Sequence, residues 1–376
     1  MNFSERPILV FWESTRACLL ACKHCRAEAM KDPLPGTLSN SQAEAFIKSL
    51  TQFKKPYPIL VITGGDPLMR EDLLGLVSLA RELEIPAALS PAVSTKFDPN
   101  LFIKFKNMGV KALSISLDGS EETTHDAIRG VPGHFAQTLE MIRFLVSQGF
   151  SLQINTTVMR ENVEELADMA YLLKKLKVSI WEVFFLIQTG RGKAVNPISP
   201  EEHEEVCHFL VDVSYYGIIV RTVEAPFFRR VVDWRKTRTL SECHPVPGTL
   251  YQNLSTKLSR LLGEKGGTCL AQTQGTRDGN GIIFVGYNGD VYPAGFLPLP
   301  VGNVTETSLQ KIYSESPLLK AIRNGDFTGK CGICEYKILC GGSRARAYSF
   351  SGDPLGEDPA CPYVPELKLA DIKEKA

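Results

Sequence analysis

Seven of the ten cysteines fall into two spaced groups, Cys18-x3-Cys22-x2-Cys25 near the start and Cys331-x2-Cys334-x5-Cys340-x20-Cys361 near the end. Thiolates ligate metals, and thiols left this close together without a metal oxidise readily. The spacing therefore points to metal or redox chemistry. Three thiolates on a short loop are one too few to fill a cubane iron–sulfur cluster, so one iron would remain open. Zinc would need a fourth ligand, for which His24 is the local candidate, but an adjacent His24 and Cys25 seldom both reach one tetrahedral ion. The C-terminal group supplies four thiolates, enough either for a structural zinc or for a second cluster. Cys207, Cys243 and Cys269 stand apart.

Composition narrows the setting for this chemistry. The chain has 376 residues, too many for one ordinary domain, and two structural units are expected. Lys+Arg and Asp+Glu both number 42, and no basic block is present to neutralise a phosphate backbone, so a nucleic-acid partner is not expected. Apolar residues at 44% and charged residues at 22% describe an ordinary globular chain. The opening MNFSERPILVFWES has too short an apolar run for an export signal, and nothing approaches the roughly 18 apolar residues of a membrane span. The expected compartment is the cytoplasm, where ten cysteines do not form a disulfide framework.

The elements that must position the cysteines follow from periodicity. Short β-prone runs alternate with helical segments from Pro7 to about Ile187, as in repeated βα units. Six strands are predicted at Ile8 to Trp12, Ile59 to Thr63, Ala87 to Pro91, Ala112 to Leu117, Leu152 to Thr157 and Trp181 to Ile187. Helices are predicted between them, for example Ser41 to Gln52, Glu71 to Glu84, Phe135 to Gln148 and Val163 to Lys175. Six right-handed βα units curl into a partial (β/α)6 barrel of TIM-like type. The cysteine triplet follows strand one, Gly64-Gly65-Asp66-Pro67 strand two, Asp118-Gly119 strand four and Gly190-Arg191-Gly192 strand six. In a parallel barrel these loops share the C-terminal face, where active sites form. Beyond residue 195 a bridge is expected, residues 196–267, with a helix at Pro200 to Tyr215 and a strand at Ile218 to Val223. A small C-terminal unit, residues 268–376, follows, with a hairpin turning at Asn288-Gly289 and the four clustered cysteines.

The CxxxCxxC triplet after the first strand resembles that of the radical S-adenosylmethionine (radical SAM) superfamily. The resemblance implies a [4Fe-4S] cluster on Cys18, Cys22 and Cys25, whose open iron is chelated by S-adenosylmethionine (SAM), and reductive cleavage of SAM to a 5′-deoxyadenosyl radical. It also assigns a SAM site. Gly64, Gly65 and Asp66 match the family's GGE-type motif, with Asp66 where Glu is commoner; Ser116 and Asp118 match its strand-four contacts, Arg129 a carboxylate partner and Asn155 a further contact. The C-terminal cysteines resemble the SPASM, or shortened twitch, extension, which implies one auxiliary [4Fe-4S] cluster on Cys331, Cys334, Cys340 and Cys361. Ala294, and Ser343 or Arg344, stand where a second auxiliary cluster would take cysteines, and Cys269 is read as a buried thiol.

Several stretches are similar to a narrower branch of tetrapyrrole-modifying enzymes of haem and d-type haem synthesis: FWESTRAC, CRAEA, INTTVMREN, FFLIQTGRGK and CGGSRARAYSFSGDP. Phe227 and the CGGS sequence depart from that branch's pattern. The resemblance implies hydrogen abstraction from, and decarboxylation or modification of, a tetrapyrrole side chain, with an electron donor such as flavodoxin or ferredoxin. Arg191, Arg229, Arg230, Arg344 and Arg346 are candidates for substrate carboxylates, and Phe184, Phe185, Phe227 and Phe228 for an apolar pocket. The alternatives are a peptide-modifying SPASM maturase and a non-catalytic iron–sulfur electron carrier.

Overall fold

The computed structural model describes residues 3–272 and 275–365. Its strands are β1 (Leu9–Glu13), β2 (Ile59–Thr63), β3 (Ala87–Leu89), β4 (Ala112–Ser116), β5 (Ser151–Val158), β6 (Ile180–Phe185), β7 (Ile219–Val223), β8 (Ile282–Val285), β9 (Asp290–Tyr292) and β10 (Gly302–Asn303). They form one sheet in the order β10-β9-β8-β1-β2-β3-β4-β5-β6-β7. Strands β1 to β7 run parallel, each beside its successor, as right-handed βα units dictate. The sheet has two ends and is not a closed barrel.

Two pairings differ from the six-strand expectation. The strand anticipated in the bridge, β7, continues the parallel sheet beyond β6. The first arm of the C-terminal hairpin, β8, lies parallel to β1, with Leu9 opposite Ile282 and Trp12 opposite Val285. Both have the same cause: hydrophobic patterning identifies a strand but not its neighbour, and an unpaired edge beside a core is an acceptor for whichever strand reaches it.

Alternation within the strands separates core from cavity. Leu152, Ile154 and Val158 of β5, Leu113 and Ile115 of β4, and Trp181, Val183 and Phe185 of β6 are buried in the continuous core beneath the helices. The intervening Ser114, Ser116, Asn155, Glu182 and Phe184 line a cavity on the other face, as a period of two requires. Helix Pro200–Ser214 starts with a capping box between Ser199 and Glu202. It is buried almost all round because Phe228–Thr237, Thr249–Leu262 and β7 all pack on it. No described helix is long and apolar enough to cross a membrane.

Candidate active site

The loop carrying Cys18, Cys22 and Cys25 is gripped from several strand ends. Gly65 and Asp66 donate backbone N–H groups to the carbonyls of Thr15 and Ala17, each at 2.7 Å, and Lys23 donates to Ile128 at 2.9 Å. Arg191 donates from its backbone to the Cys25 carbonyl at 3.0 Å and from its guanidinium to those of Cys22 at 2.9 Å and Ala29 at 3.1 Å. The loop's orphan carbonyls are thereby satisfied, and Arg191 is a brace for the cysteine loop, with one Nη2 left without a partner.

Glycine is required where these loops touch. A Cβ on Gly65 would lie 2.4 Å from the Ala17 carbonyl oxygen, and one on Gly190, at φ +52°, 2.4 Å from that of Arg26. Both neighbours are backbone and cannot swing aside. Gly65→Ala is therefore expected to displace the cysteine loop, so that anaerobically reconstituted protein loses the N-terminal cluster's iron while keeping the C-terminal cluster's. Iron analysis and EPR spectroscopy check this, and a full complement of both signals would contradict it.

The two acidic residues assigned to the SAM site are buried. Asp66 accepts from the Leu68 and Ala92 backbones at 3.1 and 3.3 Å and from Ser94 Oγ at 3.0 Å, tying the loop after β2 to that after β3; burial raises its pKa. Asp118 accepts from the Thr157 N–H at 2.7 Å and pairs with Arg129 Nη2 at 2.6 Å, with His24 Nε2 at 3.7 Å. Burial, the largest single influence, would raise the Asp118 pKa, but the Arg129 charge, His24, the Thr157 N–H and His125 together hold the carboxyl below its usual range. Arg129 in turn donates to Cys22 Sγ at 3.4 Å, and its Nε is buried without a partner. Gly64, Gly65, Ser116, Arg129 and Asn155 face the cavity, together with the three cysteines.

Below Asp118 runs a directed histidine chain that the sequence did not reveal. The Asp118 N–H donates to His125 Nδ1 at 3.1 Å, His125 Nε2 meets His134 Nδ1 at 2.8 Å, and His134 Nε2 meets the Val93 carbonyl at 2.7 Å. Since the first donor and last acceptor are backbone groups, each ring must accept at Nδ1 and donate at Nε2. Burial favours the same neutral forms, pulling His125 down to about 3 and lowering His134.

The cavity measures about 600 Å³, within the range of small-molecule sites. Phe184, Phe284 and Phe296 give it an aromatic side, and Arg26 sits 4.4 Å over the Phe284 ring while paired with Glu13 at 2.8 Å. Of the aromatic candidates, Phe184 faces this space, whereas Phe185, Phe227 and Phe228 are buried in the core. Glu182 also faces it; burial raises its pKa despite the nearby Arg221, and it accepts from Gln153 at 2.7 Å.

Cys331, Cys334, Cys340 and Cys361 line a second, smaller cavity with Arg230, Lys330 and Lys337. Sulfurs there accept N–H groups: Cys331 from Asp358 at 3.4 Å and Cys340 from Gly342 at 3.4 Å. Among the described residues no three Cys, His, Asp or Glu converge on the position of one metal ion. A zinc ion gathers its sulfurs at about 2.3 Å from one point, whereas a four-iron cluster spreads them over four irons. Four thiols around a common space, with N–H donors and cations to offset an anionic cluster, fit the second arrangement. Three arginines considered for substrate are engaged here instead. Arg230 is bidentate with Glu204 at 2.8 and 2.7 Å, Arg344 donates to the Gly356 carbonyl at 2.6 Å, and Arg346 pairs with Asp358 at 3.3 Å.

Residues 12–173 match the model of the radical SAM superfamily, and residues 277–335 that of an iron–sulfur cluster-binding (SPASM) domain. The chain is 37% identical over 361 residues to the AdoMet-dependent heme synthase of Nitratidesulfovibrio vulgaris, covering 95% of this chain and 92% of that one. It is 29% identical to the pre-heme d1 synthase of Dinoroseobacter shibae, covering 95% and 86%. SuiB of Streptococcus suis shares the fold, with a TM-score of 0.66 and 16% identity over 95% of this chain and 77% of that one. A cysteine loop held at the ends of parallel strands, a second four-cysteine cavity and these matches together make the chain a member of the radical SAM superfamily, an enzyme that binds SAM and iron–sulfur clusters.

Proposed function

We propose that the chain modifies a carboxylate-bearing tetrapyrrole, abstracting hydrogen from a propionate-type side chain and removing its carboxylate. One observation carries the reading: the large cavity has the three-cysteine loop on one wall and Gly342 and Ser343 on another, and Gly342 also lines the four-cysteine cavity. A substrate there lies between both cluster sites. The extended similarity to haem-biosynthesis enzymes supports the choice of substrate.

When bound, the N-terminal cluster and SAM supply an electron and a carbon radical able to take a hydrogen atom. The chain's own groups do the positioning. Gly64 and Gly65 bring backbone close to the methionine end of SAM, while Ser116, Asn155 and Arg129 offer polar contacts along the cavity floor. Asp118 and Asp66 act through the groups they hold, Asp118 by orienting Arg129 and Asp66 by fixing the loops after β2 and β3. Phe184, Phe284 and Phe296 provide a flat apolar wall and exclude water. Reduced flavodoxin or ferredoxin serves as electron donor.

Anaerobically reconstituted protein, given SAM, a reductant and an iron porphyrin deuterated on its propionates, is expected to transfer deuterium into 5′-deoxyadenosine and release carbon dioxide and a vinyl product lighter by carbon dioxide, the abstracted deuterium and the acid proton, the remaining electron going to a one-electron acceptor such as an oxidised iron–sulfur cluster. Mass spectrometry reads both. Substrate-dependent cleavage with a peptide and none with any porphyrin would move the chain to peptide maturation.

A further inference from the structure

Two guanidiniums on the cavity wall lack a carboxylate in hydrogen-bond contact. Arg229 donates only to backbone carbonyls, Leu339 at 3.0 Å and Thr276. Arg277, 7% exposed, donates to the Ile338 carbonyl at 2.7 Å, and its Nε is buried without a partner. Both line the large cavity and neither lines the four-cysteine one. Burial is the main reason that the Arg277 pKa is lowered to about 10, and the Arg229 charge adds to it. Two like charges held together out of water call for an anion.

The acids on the same wall are bonded elsewhere. Glu224 directly follows β7 and sits at φ +61°, a strained position for a residue with a side chain. It is 6% exposed, with one oxygen accepting from Ser343 and the other without a partner. Asp278 accepts from the Ala345 N–H at 3.3 Å. Burial first, then Asp278, push Glu224 up to about 8, against the pull of Ser343 and Arg346, while Asp358 adds to the rise; burial raises Asp278 as well. Burial thus favours the neutral form of Glu224, and neither acid is in hydrogen-bond contact with Arg229 or Arg277.

We propose that Arg229 and Arg277 form an anion subsite that takes one carboxylate of the substrate and so fixes which end of the molecule lies toward the four-cysteine site. Arg229 was a candidate from sequence, whereas Arg277 becomes one only through the fold. The proposal rests on the tetrapyrrole reading and adds a specificity contact to it. The alternative, that these charges serve only to offset the auxiliary cluster, makes a different prediction.

The test uses the reconstituted holoenzyme and two probes, an iron porphyrin carrying propionates and the same porphyrin as its methyl ester, with binding followed by absorbance. Wild type is expected to bind the acid at least tenfold more tightly than the ester. Arg277→Gln, which keeps a donor for the Ile338 carbonyl, is expected to weaken acid binding at least tenfold, leave ester binding unchanged and retain the iron of both clusters; Arg229→Gln is expected to do the same and stands in if the first variant does not fold. An unchanged acid-to-ester ratio in a folded variant, with a shifted auxiliary-cluster potential, would overturn the subsite and leave the tetrapyrrole reading standing. Failure of wild type to bind either porphyrin would overturn both.

Discussion

A variant with Cys18, Cys22 and Cys25 all replaced by Ala is expected to cleave no SAM while keeping about half of the roughly eight irons that two four-iron clusters contain. The three thiols face the large cavity and the other four line a separate one, so loss of the first set removes one cluster without touching the ligands of the second. Replacing Cys331, Cys334, Cys340 and Cys361 is expected to leave the complementary half. Iron analysis, EPR spectroscopy and 5′-deoxyadenosine release check both variants. Retained SAM cleavage in the first, or zinc in its C-terminal site, would refute the assignment.

Acid is expected to unfold the protein steeply. Burial pulls His125, His203 and His208 each down to about 3 from the ordinary 6.5, and His208 has neither ring nitrogen hydrogen-bonded. The unfolded chain takes protons near pH 6.5 that the folded one refuses. The stability these rings contribute is therefore fully present above about pH 6.5 and drains away as pH falls toward 3, at about 1.4 kcal/mol per pH unit for each ring. Glu224 works in the opposite sense, because its pKa is pushed up to about 8 and the folded state holds a proton that the unfolded one releases. Together the three rings cost about 4 kcal/mol per pH unit once the pH is a full unit below 6.5, and Glu224 offsets part of this. Urea midpoints at neutral pH and near pH 5 measure it, and His208→Leu should flatten the slope by one group. Equal midpoints at the two pH values would show that the rings titrate normally.

What could be read from the sequence was whatever is local. The cysteine triplet declares its chemistry through spacing, and the strand positions through alternation, so β1 to β6 came out within a few residues of their observed ends. Partners distant in the chain were not legible. Arg230, considered for substrate, is matched by Glu204 one helix away, and Arg346 by Asp358 across a turn. Phe227 and Phe228 read as pocket aromatics because nothing nearby says which way the helix they begin will turn; they face the core. Arg277 and the His125–His134 chain lie in no motif at all. Their roles exist only once β4, the loop after β3 and the C-terminal segment are brought together.

The pairing of β8 with β1 has a consequence for how the chain is made. On the ribosome β1 emerges well before β8, one of its two neighbours, and the loop behind it waits for Gly190 and Arg191 before its carbonyls are satisfied. Contacts this remote in sequence close late and slowly. During synthesis the N-terminal thiols are thus carried on an unfinished sheet edge, exposed to oxygen and to association with other chains. Delivery of iron and sulfide to a cluster on Cys18, Cys22 and Cys25 is therefore expected to follow translation, and oxygen-free expression at a slow rate of synthesis is expected to raise the share of protein that carries it.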